Sequence, residues 1–164
     1  MPDTTILRGS DELVTLLGGS TLFAGLAEPH LRRLAGLGTV AAYPRNAHVF
    51  REGEPGQELF VVLKGAVRIS RQVPGMGEEA LAVLRPGAAF GEMALIDASP
   101  RSADALAHEA CELYVLAKPE LDDLLFVDRD FACDLLWKLV RTLSTRLRET
   151  NDKMTMLSIS AKFE

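Results

Sequence analysis

The sequence predicts an α+β fold in which short helices precede a small β-barrel or sandwich and two helices follow it. Three observations carry this. The first fifth of the chain reads as helical pieces stopped by glycines. From Val40 to Leu116 the texture is short strands with turn residues between them. Beyond Leu116 the pattern is helical to near the end, with a heptad seam in its last part. A length of 164 residues suits one domain, 1–164, with N-terminal helices over 1–38, a β region over 40–117, and hinge and dimerisation helices over 118–157.

The elements follow in order. Asp11 is expected to cap a helix from Glu12 to Leu17, which Gly18-Gly19 stops. Pro29 opens a second helix, His30 to Ala35, closed by Gly36 and Gly38. Both are too short to stand alone, so they dock on something. Phe60 to Leu63 and Val67 to Ile69 flank Lys64-Gly65, a hairpin-like corner. Pro74-Gly75-Met76-Gly77 turns the chain into a strand from Ala80 to Leu84, and Arg85-Pro86-Gly87 turns it again. Pro119 opens a hinge helix whose Glu120, Asp122 and Asp123 suit its positive start. A longer helix begins near Asp130.

Composition sets bounds on function. Hydrophobic residues at 48% and charged residues at 25% are ordinary for a soluble protein. A formal net charge of −5 argues against a general nucleic-acid binder. Met1 to Ser10 lack the basic start and apolar run of a signal peptide, and no stretch approaches the roughly 20 apolar residues of a membrane span. A cytoplasmic location, with no membrane contact, is the default expectation. Cys111 and Cys133 are expected to be buried free thiols, since a pair makes neither a disulfide framework nor a zinc site. His30, His48 and His108 are isolated, and no nucleophile and base stand in a recognisable order, so no enzyme, metal or cofactor is expected.

One stretch stands apart, Phe90 to Ala103: a strand end, Gly91, about one helical turn, then Pro100 leading into another strand. The start of such a turn leaves backbone N–H groups unpartnered, which favours an anion. Gly91 lets backbone approach closely. Arg101 presents a planar fork of donors suited to phosphate, and Ser102 adds a hydroxyl. Glu92 offers acceptors to sugar hydroxyls. Together these describe a sugar-phosphate site; the alternative is a structural Glu92–Arg101 ion pair at a turn.

The segment resembles the phosphate-binding cassette of cyclic-nucleotide-binding domains, F-G-E-x-A-L, a short spacer, then P-R-[ST]-A. That cassette is found in the catabolite activator protein, the regulatory subunits of protein kinase A and cyclic-nucleotide-gated channels. Upstream, Phe50-Arg51-Glu52-Gly53-Glu54-Pro55-Gly56 and Leu59 to Val67 are similar to the family's glycine-punctuated roll. The resemblance implies a jelly-roll-like β-roll, or double-stranded β-helix, binding cAMP or cGMP. It implies that Glu92 and the Gly91 backbone hold the ribose 2′-hydroxyl. Arg101, Ser102 and the amide of Ala94 or its neighbour Met93 would hold the cyclic phosphate. The family continues with Thr and a β-branched residue after Ala103, but Asp104 and Ala105 follow here. Asp104 is expected to face solvent, or else to alter affinity.

On the last helix, Leu136, Val140, Leu143, Leu147, Thr150, Met154 and Leu157 recur at alternating spacings of 4 and 3. This predicts a parallel two-stranded coiled coil and hence a homodimer, while Phe131, Leu135 and Leu139 offer a second apolar face to the roll. Arg146 to Lys153 is similar to the dimer helix of the catabolite activator protein, where a Thr-Ser pair, one residue from each subunit, reaches the adenine amino group. Thr150 and Asn151 fall at those positions. Asn serves as donor or acceptor, so adenine and guanine both stay open, with cAMP favoured. The activator family continues into a helix-turn-helix domain, and this chain ends at Glu164. The expectation is therefore no direct DNA binding and an output read by a protein partner. A nucleotide-free dimerisation scaffold is the remaining alternative.

Overall fold

The computed structural model describes residues 8–162, with the Ala94 side chain left aside. Two N-terminal helices, α1 (Asp11–Gly18) and α2 (Glu28–Leu37), lead into eight strands. Ser10 rather than Asp11 caps α1, its hydroxyl accepting from the Leu13 amide at 3.2 Å; Asp11 instead adds negative charge to the first turn. Helix α2 runs through Gly36 and stops at Gly38.

The strands form two antiparallel four-stranded sheets. The first has the order β1 (Thr39–Tyr43), β8 (Cys111–Ala117), β3 (Glu58–Lys64), β6 (Ala89–Phe90). The second has the order β2 (His48–Phe50), β7 (Asp104–Ala107), β4 (Val67–Val73), β5 (Gly77–Leu84). This is the β-roll that the resemblance implies. Strand β3 is a nearly unbroken apolar run because both its faces are covered. Val61 and Leu63 join Leu13, Leu17, Leu34, Tyr114 and Leu116 in a core beneath the helices. Phe60 and Val62 join Val67, Phe90 and Leu113 in the core between the sheets. Tyr114, fully buried, donates its hydroxyl to Leu34 O at 2.6 Å and so ties β8 to α2.

Lys64-Gly65 is a corner but not a hairpin. Strand β3 pairs with β6 and β8, whereas β4 pairs with β5 and β7, so the chain changes sheets there. The hairpin is the next connection, where the Met76 amide donates to Val73 O.

Helix α4 (Lys118–Val127) and helix α5 (Arg129–Ser160) meet at Asp128, which ends one and caps the other. Its carboxylate accepts from the Phe131 amide at 3.0 Å and pairs with Arg33 at 2.9 Å and His30 at 3.2 Å. The Phe131 amide is the largest influence holding this carboxyl below the usual carboxylate range, with His30 and Arg33 adding to it against desolvation. Phe131 and Leu135 bury the first turns of α5 in the helical core. Beyond them Leu136, Val140, Leu147, Met154 and Leu157 are exposed on the single chain. Cys111 is buried, and burial pushes its thiol up to about 11. Cys133 departs from expectation: it is exposed, because it lies three residues before Leu136, on the outward side of α5. Among the described residues no helix is long and apolar enough to cross a membrane.

The corner yields a test of this topology. Gly65 has φ +75°, and a Cβ there would stand 2.2 Å from the Ala110 carbonyl oxygen. Gly65→Ala is expected to lower the unfolding free energy by about 2 kcal/mol or more in urea denaturation. An unchanged midpoint would contradict the sheet-switching geometry.

Candidate functional site

A cavity of about 330 Å³ lies within the roll. The strands give it apolar lining: Phe50 from β2, Ile69 from β4, Ala82 and Leu84 from β5. Gly91, Glu92, Met93, Arg101 and Ser102 line it from the segment that the sequence singled out, and Arg146, Glu149, Thr150 and Lys153 line it from α5. Phe90 ends β6, Gly91 caps α3 (Glu92–Asp97) in the left-handed conformation at φ 80°, and Ala98 ends that short helix. The lone helical turn inside a β-roll is therefore present.

Arg101 is the most constrained polar group in the cavity wall. It is 5% exposed. Its Nη1 donates to the Glu58 carbonyl at 3.1 Å and the Gly91 carbonyl at 3.2 Å, and its Nη2 donates to Glu58 Oε2 at 3.0 Å. The guanidinium carbon sits 4.2 Å from the Phe50 ring centroid. Nε is buried with no hydrogen-bond partner. Desolvation pulls the Arg101 pKa down, and Glu58 and Glu54 oppose that shift.

Two glycines make the seat. A Cβ on Gly56 would fall 2.0 Å from Arg101 Nε, and one on Gly91 would fall 2.8 Å from Nη1. The backbone is pinned as well: the Arg101 amide donates to Glu54 O, and the Gly53 amide donates to Arg101 O, both at 2.8 Å. The glycine-punctuated loop from Phe50 to Gly56 thus exists to hold this arginine.

Glu92, 3% exposed, pairs with Arg146 of α5, whose Nη2 also donates to Ala89 O at 2.6 Å. Glu92 and Arg101 therefore do not pair with each other. Ser102 is exposed to the cavity, and Met93 is half exposed there. Ala94 belongs to α3 through its backbone. Thr150 lines the cavity while its hydroxyl donates to Arg146 O at 2.9 Å. Asn151 is exposed and is not part of the lining. Asp104 does not face open solvent: it accepts from the Glu52 amide at 2.7 Å, and Glu52 in turn pairs with Arg71.

Sequence reading missed Glu58, Gly56, Arg146, Glu149 and Lys153. Gly56 and Arg146 lay within stretches already marked as family-like, and helical spacing from Thr150 points back to Arg146 and on to Lys153. Nothing local in the sequence flags Glu58. Among the described residues no group of three or more His, Cys, Asp or Glu side chains is placed to hold a metal.

The comparisons place this β-roll, with its cavity against a long helix, in a family. Residues 40–128 match the cyclic nucleotide-binding domain family, and the chain belongs to that family. It is a binding family rather than an enzyme class. The chain is 37% identical over 140 residues to the cyclic AMP receptor protein of Thermus thermophilus, covering 85% of this chain and 63% of that protein. It is 26% identical over 180 residues to cGMP-dependent protein kinase 2 of Mus musculus, covering 94% of this chain and 23% of the kinase. The crystal structure of a cyclic nucleotide-binding domain from Methylobacillus flagellatus superposes with a TM-score of 0.77 at 30% identity, covering 87% of this chain and 80% of that one. The chain spans less than two thirds of the length of the first two relatives.

The Arg101 seat carries its own prediction. Glu58 is half exposed and supplies the one carboxylate hydrogen-bonded to the buried guanidinium. Glu58→Ala is expected to lower stability by about 1–3 kcal/mol in urea, the range for leaving a buried donor without its partner. A stability equal to the parent's would show that the guanidinium needs no partner here.

Proposed function

We propose that this chain is a cAMP-binding regulatory domain that works in the cytoplasm and signals by rearranging its C-terminal helices. The observation that carries the reading is the pairing of roles in one cavity. A buried arginine with a serine beside it suits the cyclic phosphate, and the buried carboxylate of Glu92, earlier in the same segment, suits the ribose 2′-hydroxyl. Gly91 and the amides of Met93 and Ala94 complete the phosphate and ribose contacts in this reading.

The signal runs through Glu92. Its carboxylate is paired with Arg146, so a ribose hydroxyl that donates a hydrogen bond to Glu92 changes what anchors α5. A ligand shifts a helix only by contacting one arrangement better than another, and this pair supplies such a difference. The exposed seam of α5 suits a parallel homodimer, in which Thr150 of one chain and Asn151 of the other approach the base. That division of labour accounts for Asn151 standing outside the single-chain cavity. A downstream protein partner reads the helix. The similarity to a cGMP-dependent kinase favours cGMP as the second reading.

Two variants test this by calorimetry. Arg101→Ala is expected to weaken cAMP binding at least tenfold, since breaking a desolvated charge pair costs about 2–5 kcal/mol. Glu92→Ala is expected to weaken cAMP more than 2′-deoxy-cAMP, because only cAMP offers the hydroxyl. Unchanged affinity in a folded Arg101→Ala protein, or equal losses for both ligands in Glu92→Ala, would overturn the assignment.

A further inference from the structure

A second concave surface lies between α2 and α4. It is a groove of about 370 Å³ lined by Arg33 and Leu37 of α2 and by Glu120, Asp123, Leu124 and Val127 of α4. The α4 residues recur at i, i+3, i+4 and i+7, so one face of that helix makes the wall, acidic at its start and apolar at its end. Leu124 is buried in the helical core, and Leu37 packs against that core. Val127 is 76% exposed, and its neighbour Phe126 is 75% exposed. Two large apolar side chains left in water beside a groove with a polar rim mark a surface that another molecule covers. The charges say what kind of molecule. Among the described residues of the lining Arg33 is the one cation, and it is committed to Asp128 at 2.9 Å. Arg129 lies over the Phe126 ring, outside the lining. Asp122 is committed to Lys118. Glu120 and Asp123 are exposed and have no hydrogen-bond or ion-pair partner among the described residues.

We infer that the α2–α4 groove is a docking site for a basic amphipathic helix of a partner protein. The partner's apolar face lies on Leu37, Leu124 and Val127, and its lysine or arginine side chains meet Glu120 and Asp123. A helix fits because the wall is itself a helix of ten residues, ~15 Å long, whose Leu124 and Val127 stand one turn apart, the spacing at which a helix laid alongside presents its anchors. Basic charge on the partner relieves the repulsion between two carboxylates three residues apart on one face. The site adjoins the junction that holds α5, since Arg33 and the end of α4 both meet Asp128. None of its residues lines the cavity of the roll. The inference therefore goes beyond the cyclic-nucleotide reading and is tested without a nucleotide.

The test titrates two synthetic helical peptides of about 14 residues, ~20 Å long, calorimetrically into the intact chain. One is built of leucine and lysine with its leucines on one face, and the other has glutamate in place of every lysine. The parent is expected to bind the lysine peptide about tenfold more tightly than the glutamate peptide, the scale of two exposed ion pairs. Glu120→Gln with Asp123→Asn should bring that ratio near one. Glu79→Gln with Glu109→Gln removes the same charge from exposed carboxylates elsewhere on the roll and should leave the ratio unchanged. Val127→Ser should weaken the lysine peptide about tenfold by removing an apolar anchor. Three results overturn the inference: a ratio near one in the parent, a ratio that survives Glu120→Gln with Asp123→Asn, and a ratio lost equally in the Glu79 and Glu109 variant. Sedimentation of the chain alone gives a further check. A self-association that Val127→Ser abolishes would make a second copy the occupant and would overturn the inference as well. Urea midpoints equal to the parent's confirm that the variants, all on exposed side chains, remain folded.

Discussion

A guanidinium removed from water needs acceptors brought to it, and Arg101 imposes that demand on the roll, although its Nε stays without a hydrogen-bond partner. Its planar fork carries a charge that cannot be given up to relieve desolvation, so carbonyl oxygens, a carboxylate and an aromatic face have to be brought to it. Glu58 and Gly91 supply the oxygens, and the Phe50 ring lies beneath. Gly56 and Gly91 are glycines because any Cβ would occupy the space of the side chain they cradle. These groups come from β2, the loop after it, β3 and the start of α3. Seating one arginine therefore fixes how strands of both sheets meet at the cavity. The arrangement puts a charged group at the edge of the core between the sheets, whose Phe50, Ile69, Leu84 and Phe90 also line the cavity.

The second constraint is that α5 is held at its base and at the cavity, with Lys138 donating to Ala24 O between them. At its base Asp128 caps the helix, binds Arg33 and His30 of α2, and anchors Phe131 in the core. About 27 Å of helix beyond Asp128, by the ~1.5 Å rise per residue, Arg146 reaches back to Glu92 and Ala89. Between and beyond these points the apolar seam is uncovered. A helix pinned at its start and held by one ion pair at the cavity can change its far contact without losing its near one. That is the mechanical basis for reading the α5–cavity contact as the signalling element, and it needs no change in either core.

Much of this was legible in the sequence, for physical reasons that particular residues make plain. The Phe90–Ala103 segment was readable because its chemistry is contiguous: Gly91, Glu92, Arg101 and Ser102 need only local backbone to be brought together. The partners of the two charged groups were not readable, because Glu58 lies 43 residues from Arg101 and Arg146 lies 54 residues from Glu92. Only the folded roll makes them neighbours. Periodicity found the outward seam of α5, but could not show which residues beside it face the cavity, since Thr150 and Glu149 differ there by one step of helix rotation. The same blindness misplaced Cys133. The cap of α1 was placed one residue late, at Asp11, whereas the Ser10 hydroxyl accepts from the Leu13 amide. The Lys64-Gly65 corner has the composition of a hairpin turn; only the pairing of β3 and β4 with different partners makes it a change of sheet.

The proposed function stands on one coupling, in which a ligand entering beside Glu92 and Arg101 is reported by α5. Amide hydrogen exchange over Arg146 to Met156, measured in the intact chain with and without saturating cAMP, tests it most directly. The account predicts slower exchange across that segment when cAMP is present, together with protection of the Gly91 to Ser102 segment. Identical exchange of α5 with and without cAMP would contradict it.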